Sequence, residues 1–254
     1  MSAPILEVNA LSISFGGIKA VDNISFKVEP HKVTSLIGSN GAGKTTAFNL
    51  IAGNLKADRG EVLFKGQRID GKKPSDVSKL GIARSFQELR LFNRLSAKDN
   101  ILAAIPGQLG ENLLPALFST SKVREEARTN EKIALDILEE LAIAHQAEVL
   151  AENLSYGQQK LVSLGRLLAN RGELLMLDEP TSGINPHLVS EFCDRIRSMV
   201  GRQRTVLLIE HNVDVVMSIS DWVIVMHQGK IIAQGSPRDV QQDTSVMHTY
   251  LGID

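Results

Sequence analysis

Cysteine is almost missing from this sequence. The single one, Cys193, cannot close a disulfide within the chain, which fits a reducing cytosol. Its neighbours, Leu188-Val189-Ser190-Glu191-Phe192, read as helix, so a buried or half-buried thiol without a role is expected there. Long apolar runs are missing too: none approaches the ~20 residues a membrane-spanning helix needs. The stretch Met1-Ser2-Ala3-Pro4-Ile5-Leu6-Glu7 has no basic cluster followed by an apolar core, so no secretory signal is expected. Neither sign of charge dominates. The 28 Lys and Arg against 29 Asp and Glu leave a net charge of −1, and no basic surface points to nucleic acid. Internal repeats, low-complexity linkers and basic amphipathic helices are not found, so membrane association is expected only through a partner. What remains is a chain of 254 residues, 43% of them hydrophobic, able to bury a substantial core as one large domain or two closely joined lobes.

Against that background one stretch stands out: Gly38-Ser39-Asn40-Gly41-Ala42-Gly43-Lys44-Thr45 reads G-x-x-x-x-G-K-T. Glycines let such a loop bend around a triphosphate with its N–H groups inward, and the helix that follows adds its positive end. Lys44 is placed to reach the β- and γ-phosphates, Thr45 to offer its hydroxyl to Mg²⁺, and Thr46 to continue the nucleotide-binding set. A Gly-rich turn matching by accident is the bland alternative. The apolar run Val33–Ile37 before the loop and Thr46–Ile51 after it supply strand, loop and helix in the order the chemistry requires.

The flanking chain organises itself around that unit. Residues 5–28 alternate as strands, with turns expected at Gly16-Gly17 and Asp22-Asn23, which reads as a small antiparallel sheet. The helix after the loop is expected to end at Gly53, and short strands are expected at Glu61–Phe64 and Ile82–Phe86. From about Ser96 to Asn170 the pattern turns helical. Ser96-Ala97-Lys98-Asp99 opens a helix through Ala104, and 121–144 is long and amphipathic, with Ile133, Ile137, Leu138 and Leu141 on its apolar stripe. Alternation of apolar strands and helices then resumes: 174–177, 186–199, 205–209 and 213–219, ending in a hairpin around Gln228-Gly229. That order implies a parallel sheet with helices on its faces.

Two further motifs carry chemistry. The apolar strand Leu174–Leu177 delivers Asp178 at its carboxyl end, where it can hold Mg²⁺ through water, with Glu179 beside it to orient or deprotonate a water. Some twenty residues earlier, Leu154-Ser155-Tyr156-Gly157-Gln158-Gln159 places a hydroxyl and a glycine at a helix start, ready for negative charge. This last stretch resembles the signature sequence of the ATP-binding-cassette (ABC) ATPases, whose more usual form has glycine in place of Tyr156.

The resemblance covers nearly the whole chain and implies further roles. Gln87 looks like the glutamine that senses Mg²⁺ and the membrane partner, and His211 like the switch histidine that contacts the γ-phosphate. Phe15 stands where an aromatic stacks on adenine, with core packing as the competing reading. Ser182-Gly183-Ile184-Asn185 stands where the D-loop belongs, with asparagine in place of the commoner aspartate. Gln158 joins Ser155 and Gly157 in the signature's nucleotide contact. Phe15–Val21, Arg90-Leu91-Phe92, the Tyr156 form of the signature, Ser182–Pro186, Ala233–Pro237, Tyr250-Leu251-Gly252 and the long segment between Ile105 and Asn130 narrow the likeness. They are similar to the ATP-binding subunits of branched-chain (hydrophobic) amino acid importers and related urea and amide uptake systems.

The resemblance thus implies an α/β fold: a RecA-like P-loop NTPase core with an N-terminal antiparallel β subdomain and an α-helical insertion. In residues, it implies one ABC ATPase domain with its core and β subdomain over 1–89 and 166–254 and its helical subdomain over 90–165. It implies ATP and Mg²⁺ as ligands, and a homodimer or a heterodimer with a paralogue. It also implies polytopic permease subunits docked near Gln87–Phe92, an extracytoplasmic solute-binding protein, and a place on the cytoplasmic face of the membrane. Soluble ABC proteins of repair or translation carry a coiled-coil insertion or two cassettes, and neither is here. Regulatory, non-hydrolysing subunits lose the glutamate or the histidine, whereas Glu179 and His211 are both present. An exporter ATPase of the lipopolysaccharide-transport type is the nearest transport alternative.

Overall fold

The computed structural model describes residues 3–85, 89–108, 121–201 and 204–246. These fall into two compact units, Met1–Arg84 with Glu173–Ser182 and Val189–Asp254, and Ser85–Gly172 with Gly183–Leu188.

The first unit is built on two sheets. Strands β1 (Leu6–Phe15) and β2 (Ile18–Val28) pair antiparallel, and β1 also pairs with β4 (Arg59–Phe64), which pairs with β5 (Gln67–Arg68). Gly16 and Gly17 both take positive φ, 55° and 86°, as a two-residue hairpin turn demands. The turn expected at Asp22-Asn23 is instead an irregularity inside β2. Asn23 adopts φ 58° and its N–H donates to Ser12 Oγ at 2.8 Å, so the strand bends there and continues.

The second sheet runs, in spatial order, Lys230–Gly235 (β10), Trp222–His227 (β9), Val33–Gly38 (β3), Thr205–Ile209 (β8), Leu174–Asp178 (β7) and Ile82–Arg84 (β6). The five strands from β9 to β6 are parallel, and β10 closes one edge antiparallel to β9. Every residue of β3, β7 and β8 is buried, which is why these strands read as continuous apolar runs rather than alternations. Helix α1 (Lys44–Ile51) follows β3 and ends as the glycine signal requires, with Ala52 as its cap and Gly53 at φ 77°. Phe48 and Leu50 of α1, Leu6, Val8 and Leu11 of β1, and Leu174 and Ile209 of the parallel sheet share one core. Helix α2 (Pro74–Lys79) precedes β6.

The second unit is helical: α3 (Ala97–Leu102), α4 (Ser121–Glu140) and α5 (Tyr156–Ala169). Ser96 caps α3, its Oγ accepting from Asp99 N at 3.0 Å, and the helix stops two residues short of the expected Ala104. Helix α4 buries Asn130, Ala134, Ile137 and Leu138 along one stripe. A Cβ at Gly165 would sit 2.8 Å from Ile101 Cδ1 and 3.2 Å from Ile137 Cγ2, so the helices pack closely here and a larger residue would make those side chains shift. The last helices are α6 (Pro186–Gly201), α7 (Val213–Ile219), α8 (Pro237–Gln242) and α9 (Thr244–Val246). Cys193 is buried in α6, and loss of hydration pushes its thiol up to about 11, so it stays protonated and unreactive near neutrality. Among the described residues no helix is long and apolar enough to cross a membrane. The expectations for Phe86 and Gln87, for much of the segment between Ile105 and Asn130, and for Tyr250–Gly252 lie outside the described residues.

Candidate functional site

Strand β3, held between β8 and β9, carries the chain to Gly38, and there the backbone turns in a way only glycine allows. Gly38 has φ 151° and a Cβ on it would fall 2.1 Å from Met226 O. Gly43 has φ 98° and a Cβ would meet Ala20 O at 2.3 Å. The loop is thus pressed against its supports at both ends, while Ser39, Asn40 and Gly41 between them face solvent. Ala42 is buried beneath the loop and its carbonyl accepts from Gly229 N at 3.0 Å.

Lys44 opens α1 and is only 5% exposed. Its ammonium donates to Gly38 O at 2.8 Å and to Ser39 O at 2.9 Å, so it lies folded against its own loop. Burial lowers its pKa, and the nearby negative charges of Glu179 and Asp178 oppose that shift. Thr45 is exposed at the start of α1 and Thr46 is half-buried.

Asp178 ends β7 at 3% exposure, paired to Arg84 with Nη2–Oδ2 at 3.3 Å. Burial raises its carboxyl above the usual aspartate range even though Arg84 pulls the other way. Arg84 is itself anchored, its Nη1 donating to Asn49 Oδ1 at 2.6 Å. Nothing in the local sequence around Ile82–Arg84 marks that pairing, because its partners lie on β7 and α1. The donors Asp178 and Thr45 are oxygen only, the chemistry Mg²⁺ prefers. Among the described residues no group of three acidic, His or Cys side chains could cage a metal alone. That set fits a cation held by one carboxylate and one hydroxyl together with phosphate oxygens and water.

Glu179 follows at φ 49°, an uncommon conformation for a residue with a Cβ. Its N–H donates to Ile209 O at 2.9 Å, and its Oε1 lies 2.8 Å from Nε2 of His211. Both side chains remain reachable from solvent. The structure therefore joins two residues that the sequence supplied separately. It also reveals a third, Glu210, 3% exposed between β8 and His211. Its Oε1 accepts from Thr181 N at 2.9 Å and Thr181 Oγ1 at 2.5 Å, and its Oε2 from His211 N at 3.0 Å. A charged residue closing the apolar run Val206–Ile209 of β8 is the available signal.

Phe15 ends β1 opposite Ile18 and is 48% exposed, which removes core packing as its reason to be there. As an adenine platform it would contribute to binding alone, being remote from the bond that breaks. Phe15→Ala is expected to raise KM for ATP several-fold with kcat little changed, a loss of about 1 kcal/mol by analogy with base–aromatic stacks. Steady-state kinetics check this; an unchanged KM rules the platform out.

In the helical unit Ser155 caps α5 through a reciprocal pair. Its Oγ accepts from Gln158 N at 3.4 Å, and Gln158 Oε1 accepts from Ser155 N at 2.9 Å. Ser155 is exposed and Gly157 half-buried, so this helix start is open to a ligand. Asn185 accepts from His187 N at 3.1 Å through its side chain, capping the start of α6.

Residues 21–182 match the ABC transporter family, spanning the cradle, the α5 cap and the β7 carboxylates together. The chain belongs to that family. This ABC ATPase is 39% identical to the high-affinity branched-chain amino acid transport ATP-binding protein BraF of Pseudomonas aeruginosa, with 99% of each chain covered. It is 37% identical to LivG of Escherichia coli K12, a protein of the same description, again over 99% of both. Among solved structures it resembles the ADP conformation of the ATP-binding cassette MJ1267, at a TM-score of 0.85 and 35% identity over 99% and 100% of the two chains. A nucleotide-free ATP-binding cassette from an ABC transporter superposes with a TM-score of 0.83 at 34% identity, over 98% and 99%. The ABC ATPase fold and nucleotide binding expected from the motifs are thus those of its relatives.

Proposed function

We propose that this chain is the ATP-hydrolysing subunit of an importer for branched-chain amino acids or a related small solute, working on the cytoplasmic face of a membrane with permease subunits. The observation that carries the reading is the end-to-end likeness to BraF, which spans 99% of both chains and so includes the helical unit as well as the nucleotide core. In this reading an extracytoplasmic binding protein delivers the solute, and two cassettes, identical or paralogous, close head to tail. The cradle residues Gly38–Thr46 and Lys44 hold the phosphates, Phe15 stacks on the base, and Ser155, Gly157 and Gln158 of the partner subunit cover the γ-phosphate. Thr45, Asp178 and Gln87 hold Mg²⁺, which when bound offsets the charge of the β- and γ-phosphate oxygens. Glu179 orients or deprotonates the attacking water, and His211 holds Glu179 and reaches the γ-phosphate. ATP favours only the closed pair, so hydrolysis reopens it, and that difference in affinity is what moves the permease.

The helical subdomain, about residues 90–165, receives the permease. Phe92, 51% exposed, lies beside half-buried Leu91 and stacks on Arg166, whose guanidinium carbon is 5.1 Å from the ring centroid. Asn100 fixes that loop by accepting from Phe92 N at 2.9 Å and donating to Phe92 O at 3.1 Å. The test is uptake of radiolabelled leucine, isoleucine, valine and urea by the host organism. Deleting the gene is expected to abolish uptake of one of these, with wild type restoring it and Glu179→Gln failing to. Uptake of all four unchanged by the deletion overturns the importer reading.

A further inference from the structure

The hydrogen bonds of Glu210 have a use that the hydrolytic roles above leave open. Its carboxylate collects three N–H or O–H donors from two loops: Thr181 N and Thr181 Oγ1, two residues beyond Glu179, and His211 N. Both it and Thr181 are buried, at 3% and 7% exposure, so none of these bonds is a chance surface contact. A second tie, the last rung of the β7–β8 ladder, runs from Glu179 N to Ile209 O, at the end of β8, at 2.9 Å. The two ties bracket the Glu179 Oε1–His211 Nε2 contact of 2.8 Å. The ladder fixes the Glu179 N–H but not the direction in which its side chain leaves the sheet. Glu179 lies just past the last paired residues, Asp178 and Ile209, and sits at positive φ where the chain has left the sheet.

We propose that Glu210 is a positioning residue for ATP hydrolysis: by clasping Thr181 and His211 it sets the spacing between the loop of the catalytic glutamate and the loop of the histidine. A carboxylate suits this task because it offers acceptor oxygens on two sides and competes for no donor. Glutamine is nearly the same size but can accept at only one end. With its oxygen turned to Thr181, its amide N–H₂ would face the His211 N–H, donor against donor. The clasp acts through His211 and Glu179, so the inference rests on their assignment to the hydrolytic centre.

The experiment compares the ATPase of the full chain in wild type, E210Q, T181V, H211A and the double variant E210Q/H211A. E210Q is expected to lose about tenfold or more in kcat, the cost of one misplaced general-base geometry. KM for ATP should stay within about twofold, because the phosphate cradle is untouched. T181V, which deletes one of the three donors, should lose less. In the H211A background E210Q should cost nothing further, since the group it positions is gone. Thermal melting accompanies each variant. Wild-type kcat in E210Q overturns the inference, as does a kcat loss that persists undiminished on H211A or that comes with a raised KM and a lowered Tm. H211A hydrolysing at the wild-type rate would overturn the hydrolytic assignment itself, whereas an inactive H211A beside a fully active E210Q overturns the clasp alone. Should E210Q fail to fold, T181V and T181V/H211A give the same readings.

Discussion

Glu179→Gln will bind ATP and fail to turn it over. General-base action is worth about 10²–10⁴ in rate, so kcat should fall by at least a hundredfold. The substitution leaves the local geometry intact, because a glutamine at this position can still bond Nε2 of His211, at 2.8 Å in the native pair. Binding should survive for the same reason: the residue lies outside the cradle formed by Gly38 to Lys44. In the proposed head-to-tail pair, ATP that binds without being split would hold the closed state, so gel filtration with ATP should move the variant to the elution volume of a dimer. The wild type, which hydrolyses its ligand, should remain mostly monomeric in the same run. Near wild-type turnover by Glu179→Gln would remove Glu179 from the catalytic role.

Lys44→Ala is expected to fail one step earlier. Its ammonium is buried at 5% exposure and already oriented by two carbonyls of its own loop, Gly38 O and Ser39 O. A charge-assisted bond to a phosphate contributes about 1.5–3 kcal/mol, so affinity for ATP should drop by roughly ten- to a hundredfold. Turnover should fall further, because the charge that builds on the transferred phosphoryl group would lose a stabilising cation. Lys44→Arg should not rescue it, since a planar guanidinium does not fit the slot that a single ammonium fills. Calorimetric titration with ATP separates the binding loss from the rate loss. Wild-type affinity in Lys44→Ala would mean that the lysine stays on its own loop when nucleotide is present.

Much of this site is local, and the local parts are the ones the sequence discloses. The cradle is legible because its glycines are demanded by backbone conformation at fixed spacing, and β3 and α1 flank it in the chain. The cap at Ser155 is equally readable, since its two hydrogen bonds close within four residues. The ties that complete the centre are of another kind. Arg84 reaches Asp178 across 94 positions and Glu210 reaches Thr181 across 29, so no spacing rule announces either. The same limit explains Asn23. A polar pair with a left-handed residue has the chemistry of a turn, but its long-range bond to Ser12 makes it a bend within a strand. An aromatic at a strand end satisfies both the core and the ligand pattern, and the exposure of Phe15, a property of the fold, argues against the core.

The turn at Gln228-Gly229 is a small feature with a wide reach. Gly229 donates to Ala42 O beneath the cradle and accepts from Asp22 N on β2, while Gly43 packs on Ala20 O of the same strand. Strand β2 returns from the hairpin that presents Phe15, so the aromatic tip and the phosphate loop are bolted to one frame. If Phe15 holds the base as proposed, a nucleotide gripped at both ends by such a frame is measured as if between the jaws of a caliper. A ligand whose base is set farther from its β-phosphate than in ATP, by a lengthened linker, would satisfy one jaw at a time. Selectivity for nucleotide length would then be set by the antiparallel sheet, a part of the molecule that touches no phosphate.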